Sequence, residues 1–285
     1  MTKSLTGQTA FITGGSGGIG SACAQALLVD GASVTLMARD MKKLESVRDK
    51  LKIYIETGAR IEILSGDGLK KEDVIRGLKT AYDINNSLNI CIPTIGGGDI
   101  RPLLMHDEKS FMSELGLNVL SAFLVIRYGA PLMATSGGGS IVCISSDAAK
   151  LVFPWLPAYT TSKCGLEGLV RASAEELARF KIRVNAVRPG LTRTDATNDL
   201  FNNPEIYKRF AEEKPLGRLG EPEDVSAGVR YLAGPESSWV TGQSIGIEGG
   251  NELRKAPDMA EMVKTIYGEE AFKQVLIAKA PFEDY

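Results

Sequence analysis

Thr13-Gly14-Gly15-Ser16-Gly17-Gly18-Ile19-Gly20 lies between a short apolar run, Gln8 to Thr13, and small and apolar residues at helical spacing, Ser21 to Val29. Strand, glycine loop and helix in that order form the context a dinucleotide fingerprint requires. Glycines let the main chain approach a pyrophosphate without Cβ clashes, and the helix N-terminus adds unpaired N–H groups and positive dipole. Gly14, Ser16, Gly18, Ile19 and Gly20 are the candidate phosphate-loop residues. A glycine loop also serves as a plain turn, so the remainder of the chain has to decide.

Val34 to Met37 reads as a second strand and Met41 to Ile55 as a polar-faced helix, completing a βαβ unit. The alternation continues through Arg60–Leu64, Lys71–Asp83, Asn89–Ile92, Asp107–Ala134, Ser140–Ser145, Ala158–Arg179 and Arg183–Val187, and closes with Glu223–Leu232 and Ser244–Ile247. It predicts an α/β fold: a Rossmann-type doubly wound parallel sheet with ligands at the carboxyl ends of the strands. A single domain is expected over 1–250, with a substrate-covering segment at 191–215, followed by a helical extension at 251–285. In the extension, Asp258 and Glu261 are spaced to cap a helix with Met259, Met262, Val263, Ile266 and Tyr267 on one face. Gly268 would end that helix, and Phe272, Val275 and Leu276 form a second apolar stripe that must pack over 191–215 or a neighbouring subunit.

Hydrophobic residues make up 44% and charged residues 24% of the 285, an ordinary globular balance, and the net charge of −2 comes without a Lys/Arg stripe. Nucleic acid is therefore not an expected partner. The apolar stretch Leu117 to Met133 reads as a buried core helix rather than a membrane span of about 18 or more residues. With no signal-type apolar region before the first strand, the expectation is a cytoplasmic chain. Cys23, Cys91, Cys143 and Cys164 are scattered, without a Cys-x-x-Cys pair, and read as reduced core thiols. His106 has no carboxylate or cysteine cluster at metal spacing, so no metal site is expected.

Tyr159-Thr160-Thr161-Ser162-Lys163, Ser146 upstream of it, Asn118 in the preceding helix and the Thr-Gly-x-x-x-Gly-x-Gly loop stand in one order. In this the chain resembles the short-chain dehydrogenase/reductase family over roughly residues 5–250. Pro189-Gly190 with Thr194, Pro215-Leu216-Gly217-Arg218, Glu221-Pro222 and Trp239-Val240-Thr241-Gly242-Gln243 look like its later landmarks. The resemblance implies an oxidoreductase with cofactor contacts at Pro189, Gly190, Thr192 and Thr194, and assembly as a homo-oligomer, tetramer or dimer, through the long helices. It also implies that Lys163 holds the nicotinamide ribose and that Asn118 anchors a water leading to Lys163. One departure is plain: Pro93-Thr94-Ile95-Gly96 stands where many members carry Asn-Asn-Ala-Gly.

Reduction of a ketone builds negative charge on oxygen, so a proton donor must reach that oxygen. Tyr159 is the candidate acid, and Lys163, one helical turn on, is the cation expected to lower its pKa from about 10. Ser146 could hydrogen-bond the same oxygen, with Ser145 the weaker choice. Singly, such residues are ordinary packing or solvated side chains; together with Asn118 and the glycine loop they point to hydride transfer. At the end of the second strand Ala38 stands where an acid would bind the adenosine ribose, and Arg39 offers a fork suited to a 2′-phosphate. NADP, as NADPH, is thus favoured over NAD, with Asp40 more naturally capping the next helix; the alternative is a solvated Arg39 with Asp40 on the ribose. The family resemblance further implies that Asp67 lies near the adenine. Leu151, Val152, Phe153, Trp155, Leu200 and Phe201 flank the expected pocket and suggest a small-molecule, apolar carbonyl or alcohol substrate. The alternatives are a non-enzymatic dinucleotide-binding regulator, or an epimerase or lyase using bound nicotinamide.

Overall fold

A computed structural model describes residues 3–55, 58–254 and 259–281. Seven strands form one sheet in the order β3-β2-β1-β4-β5-β6-β7. They are β1 (Thr9–Thr13), β2 (Ser33–Ala38), β3 (Ile61–Ser65), β4 (Ile90–Pro93), β5 (Gly139–Ile144), β6 (Ile182–Pro189) and β7 (Ser244–Ile247). Every pairing is parallel. The strand order reverses between β1 and β4, which opens a crevice at their carboxyl ends.

Both faces of the sheet are covered, so β1, β2 and β4 are buried at every residue while the edge strands β3 and β7 are only partly covered. One face packs on α1 (Gly18–Val29), α2 (Met41–Leu51) and α9 (Pro222–Ala233), around Ile12, Leu27, Leu36 and Val229. The other packs on α3 (Lys71–Asn85), α5 (Ser121–Thr135) and α6 (Pro157–Leu177), around Phe11, Leu78, Val125 and Val170. Asp40 caps α2 by accepting from the Lys43 N–H at 3.1 Å, as its sequence position implied.

Three details differ from the sequence reading. The helix expected over Met41–Ile55 leaves α geometry after Leu51 and tightens into a 3₁₀ turn at Lys52–Tyr54. The long helix near the centre is α4 (Glu108–Leu115) joined to α5 by a π turn at Gly116–Leu120, in which the Ser121 N–H bonds the Gly116 carbonyl. This run, Glu108–Thr135, is long and apolar enough by composition to cross a membrane, and half of its apolar window is buried inside the protein. Cys164 is exposed on α6, whereas Cys23, Cys91 and Cys143 are buried with their thiol pKa values pushed up by burial.

After β6 the segment folds into α7 (Asn198–Asn202) and α8 (Pro204–Glu212). The C-terminal part forms α10 (Ala260–Tyr267) and α11 (Glu269–Leu276), separated at Gly268 with φ +88°. Asp258 lies outside the described residues, so the expected cap is not described; α10 starts after Met259. Met259, Val263 and Phe272 are buried, but Ile266 and Leu276 face outward, so the apolar stripes are narrower than their spacing implied. Met259 packs with Phe201 and Phe210, and Phe272 meets Trp155 edge-on at 5.2 Å.

Gly77 on α3 is small because the Phe11 ring lies over it: a Cβ there would stand 2.5 Å from Phe11 Cε2. Gly77→Ala adds helix propensity of about 1 kcal/mol, yet overpacking a fully buried ring costs about 1–3 kcal/mol. The urea midpoint is expected to fall; a rise would mean that the core there yields.

Candidate active site

The glycine loop turns from β1 into α1 in a fold that only small residues allow. Gly14 sits at φ +67°, its carbonyl accepts from the Gly17 N–H at 3.0 Å, and a Cβ on Gly20 would collide with that same carbonyl. The cap residue of α1 is Gly17 and makes no side-chain cap bond, so the first-turn N–H groups are left for an anion such as a pyrophosphate. Thr194 reaches this loop from beyond β6, its methyl lying 3.4 Å from where a Gly18 Cβ would be. The residues present thus fit a dinucleotide. Arg39 is exposed past the end of β2, and its main-chain carbonyl accepts from Ser65 Oγ at 3.0 Å. Asp67 is partly tied up in its own turn, its Oδ1 accepting from the Leu69 N–H at 3.0 Å.

Past β4, the unusual Pro93-Thr94-Ile95-Gly96 keeps the brace that an asparagine would make. Thr94 Oγ1 donates to the Thr13 carbonyl at 2.7 Å, tying the ends of β4 and β1 together. Ile95 is large where the family commonly has alanine, and it fills the space above Gly68, where a Cβ would clash with Ile95 Cδ1. The departure noted in the sequence at Ile95 is therefore matched by the absence of a side chain at Gly68, one exchange of volume across the crevice.

The following glycines abut the catalytic candidates directly. A Cβ on Gly96 would lie 2.7 Å from Asn118 Oδ1 and 2.9 Å from Lys163 Nζ, and one on Gly98 2.5 Å from the Tyr159 ring. Asn118 is 0% exposed in the π turn; its Oδ1 accepts from the Gly97 N–H at 3.1 Å and its Nδ2 donates to the Gly97 carbonyl at 2.8 Å. The π turn brings this side chain to the loop, and its Nδ2 also donates back along the helix to the Glu114 carbonyl at 3.0 Å. The sequence reading missed this role of Gly96, Gly97 and Gly98.

Ser146 follows β5 and Tyr159 and Lys163 share a face of α6, so the three converge beside the crevice. Lys163 is 3% exposed, donates to the Ile144 carbonyl at 2.8 Å and lies 5.6 Å from the Tyr159 ring centroid. Burial lowers its pKa to about 8. Burial also raises Tyr159 to about 12, a polar contact with the Ser146 hydroxyl pulling the other way. The expected lowering of Tyr159 by Lys163 is thus not seen: the ammonium is turned to Ile144, and desolvation outweighs attraction for both groups.

Gly190 donates to the Ile247 carbonyl at 3.1 Å, and Thr192 Oγ1 to the Gly190 carbonyl at 2.8 Å, so Pro189–Thr192 continues the floor of the crevice. Thr194 and Thr197 fold the next turn through a 2.9 Å bond. Among the described residues no group of histidine, cysteine and carboxylate side chains could hold a metal ion.

A family profile described as enoyl-(acyl carrier protein) reductase matches residues 14–252. A tropinone reductase homolog of Arabidopsis thaliana is 35% identical over 87% of this chain and 90% of its own length. The 2,3-dihydroxy-2,3-dihydro-p-cumate dehydrogenase of Pseudomonas putida is 35% identical over 87% and 96%. Among solved structures, a short-chain type dehydrogenase/reductase from Mycobacterium ulcerans superposes with TM-score 0.90 at 32% identity, covering 95% of this chain and 98% of that one. The chain belongs to the short-chain dehydrogenase/reductase family. It is accordingly an enzyme, a dinucleotide-dependent oxidoreductase of CH–OH and C=O groups with small-molecule substrates, which displaces the non-enzymatic alternative. A 7α-hydroxysteroid dehydrogenase complexed with NADH and 7-oxo glycochenodeoxycholic acid also superposes, at TM-score 0.82 and 30% identity over 87% and 96%.

The exchange of volume between Ile95 and Gly68 predicts a coupled pair. Gly68→Val alone should weaken nucleotide binding and lower the melting temperature, and adding Ile95→Ala should recover most of both. Additive losses in the double variant, measured by NADPH titration and thermal melts, would show the two sites to be independent.

Proposed function

We propose that the enzyme is NADP(H)-dependent and reduces an apolar cyclic or aromatic carbonyl compound, with Tyr159 as the acid. The observation that carries this reading is the convergence of Ser146, Tyr159 and Lys163 beside an apolar wall. That wall contains Phe153, Trp155, Phe201, Leu219 and Met259, with Tyr159 itself packed against it. Bound NADPH supplies the hydride. Tyr159, neutral up to about pH 12 in this setting, keeps a proton to deliver to the developing alkoxide. Ser146 fixes the substrate oxygen, Lys163 holds the ribose hydroxyls and stabilises the tyrosinate once formed, and Asn118 anchors the proton path to Lys163. Gly14, Ser16, Gly18, Ile19 and Gly20 hold the pyrophosphate, Asp67 borders the adenine, and Pro189, Gly190, Thr192 and Thr194 line the nicotinamide side.

Arg39 supports NADP over NAD because its side chain is exposed at the end of β2 while Asp40 is engaged in capping α2. The domain boundary near 250 fits the family match ending at residue 252. Beyond it, Met259 and Met262 pack with Phe201 and Phe210 of the α7–α8 segment, and Phe272 of α11 meets Trp155 of the apolar wall. Outward-facing Leu120 and Phe123 on the long helix fit a homo-oligomer, and the three buried free thiols fit the cytoplasm.

Tyr159→Phe should retain NADPH binding and lower turnover about 10²–10⁴-fold, because the ring still packs but no proton is delivered. Near-normal reduction would remove Tyr159 from the mechanism. NADPH affinity should hold below pH 8 and fall above it, as the Lys163 ammonium loses its proton with a pKa near 8. In Lys163→Ala that pH dependence should vanish; a retained one would assign it elsewhere. Ala38→Asp with Arg39→Leu should weaken NADPH roughly tenfold or more, and tighter NADH than NADPH binding in the unaltered protein would refute the cofactor assignment.

A further inference from the structure

Next to Ser146 lies a line of buried polar residues that the proposed mechanism does not use. Ser146 Oγ donates to Asp147 Oδ1 at 3.2 Å and accepts from the Ala148 N–H at 3.1 Å. Asp147 Oδ2 accepts from Asn251 Nδ2 at 3.4 Å, and Asn251 Oδ1 accepts from Lys214 Nζ at 3.1 Å. Asp147 is 4% exposed, Lys214 3% and Asn251 0%. Lys214 follows α8 and Asn251 follows β7, so three separate segments meet next to the serine. An ammonium can only donate, so Asn251 must turn its carbonyl to Lys214 and its amide to Asp147.

We propose that Asp147 is a positioning residue which, held by Asn251 and Lys214, decides whether Ser146 offers the substrate a hydrogen or a lone pair. The proposal rests on the reading of Ser146 as the residue that binds the substrate oxygen. With Asp147 ionised, the Ser146 hydrogen is spent on Oδ1 and one lone pair faces the crevice, which suits an alcohol O–H. With Asp147 protonated on Oδ1, the carboxyl donates to Ser146 Oγ. The Ala148 N–H fills the second lone pair, so the serine hydrogen turns outward to a ketone oxygen. Burial raises Asp147 to about 6, the nearby charges being Lys214, which lowers it, and Glu248, which raises it. Asp147 in turn pushes Tyr159 upward. Reduction is therefore expected to strengthen as pH falls through about 6.

The test is made on the full-length protein with ¹³C-labelled aspartate, the Asp147 carboxyl being assigned by its loss in Asp147→Asn. Its signal should titrate near 6 in the unaltered protein, and both Lys214→Met and Ser146→Ala should move the midpoint upward, because each removes a partner of the carboxylate. An unmoved midpoint in either variant overturns the relay. In parallel, kcat/KM for NADPH-driven reduction of cyclohexanone should be roughly tenfold higher below the midpoint than above it, the worth of one substrate hydrogen bond. Asp147→Asn, whose amide donates to Ser146 at every pH, should hold the higher value throughout, and an unchanged profile overturns the proposal. Undiminished reduction by Ser146→Ala, or none by the unaltered enzyme, would instead count against the proposed function, while the carboxyl titration still decides the relay.

Discussion

The site is organised around an ammonium that the fold buries. A lysine out of water costs several kcal/mol unless its donors are satisfied, and Lys163 meets that demand with the Ile144 carbonyl at the end of β5. That bond is possible because α6 crosses the strand ends closely, with Leu166, Val170 and Ala174 packed into the sheet. It also requires the β4 loop to pass close by without side chains, since a Cβ on Gly96 would stand 2.9 Å from Nζ. Packing, loop composition and electrostatics thus answer to one charge.

The same constraint explains why the polar groups near the crevice are paired rather than scattered. Asn118 is spent on both main-chain groups of Gly97, so the loop is held in a single register against α6. Thr94 does for the β1–β4 junction what a longer amide would do, at 2.7 Å. Among the described residues Glu114 is one exception, a buried carboxyl with one oxygen accepting from the Asp99 N–H at 3.4 Å and the other unpartnered, its pKa raised by burial; Thr13 Oγ1 and Thr160 Oγ1 are others.

Most of the sheet was legible in the sequence, because doubly covered strands leave continuous apolar runs such as Ala10-Phe11-Ile12 and the helices between them carry clear stripes. The placement of Tyr159 and Lys163 was legible as spacing, since one helical turn fixes the two on a common face of α6. What spacing could not show was long-range contact. The fit of Ile95 over Gly68 joins residues on two different strand ends, and the Asp147–Asn251–Lys214 line joins three segments far apart in the chain. The π turn was equally hidden, because Gly116-Leu117-Asn118-Val119-Leu120 carries no residue that forces it; tertiary packing of Asn118 against Gly97 selects it. The outward Ile266 and Leu276 show the reverse error, in which an apolar stripe wider than the surface it meets leaves its margins exposed.

The most direct measurement is the fate of hydride and proton in a single turnover. Enzyme mixed with NADPH deuterated at the transferable C4 position and cyclohexanone should give cyclohexanol carrying one deuterium on the carbinol carbon, read by mass spectrometry. Tyr159→Phe should bind the same nucleotide and give almost none. Cyclohexanol without deuterium, or equal incorporation by the phenylalanine variant, would contradict the account of hydride from the nucleotide and proton from Tyr159.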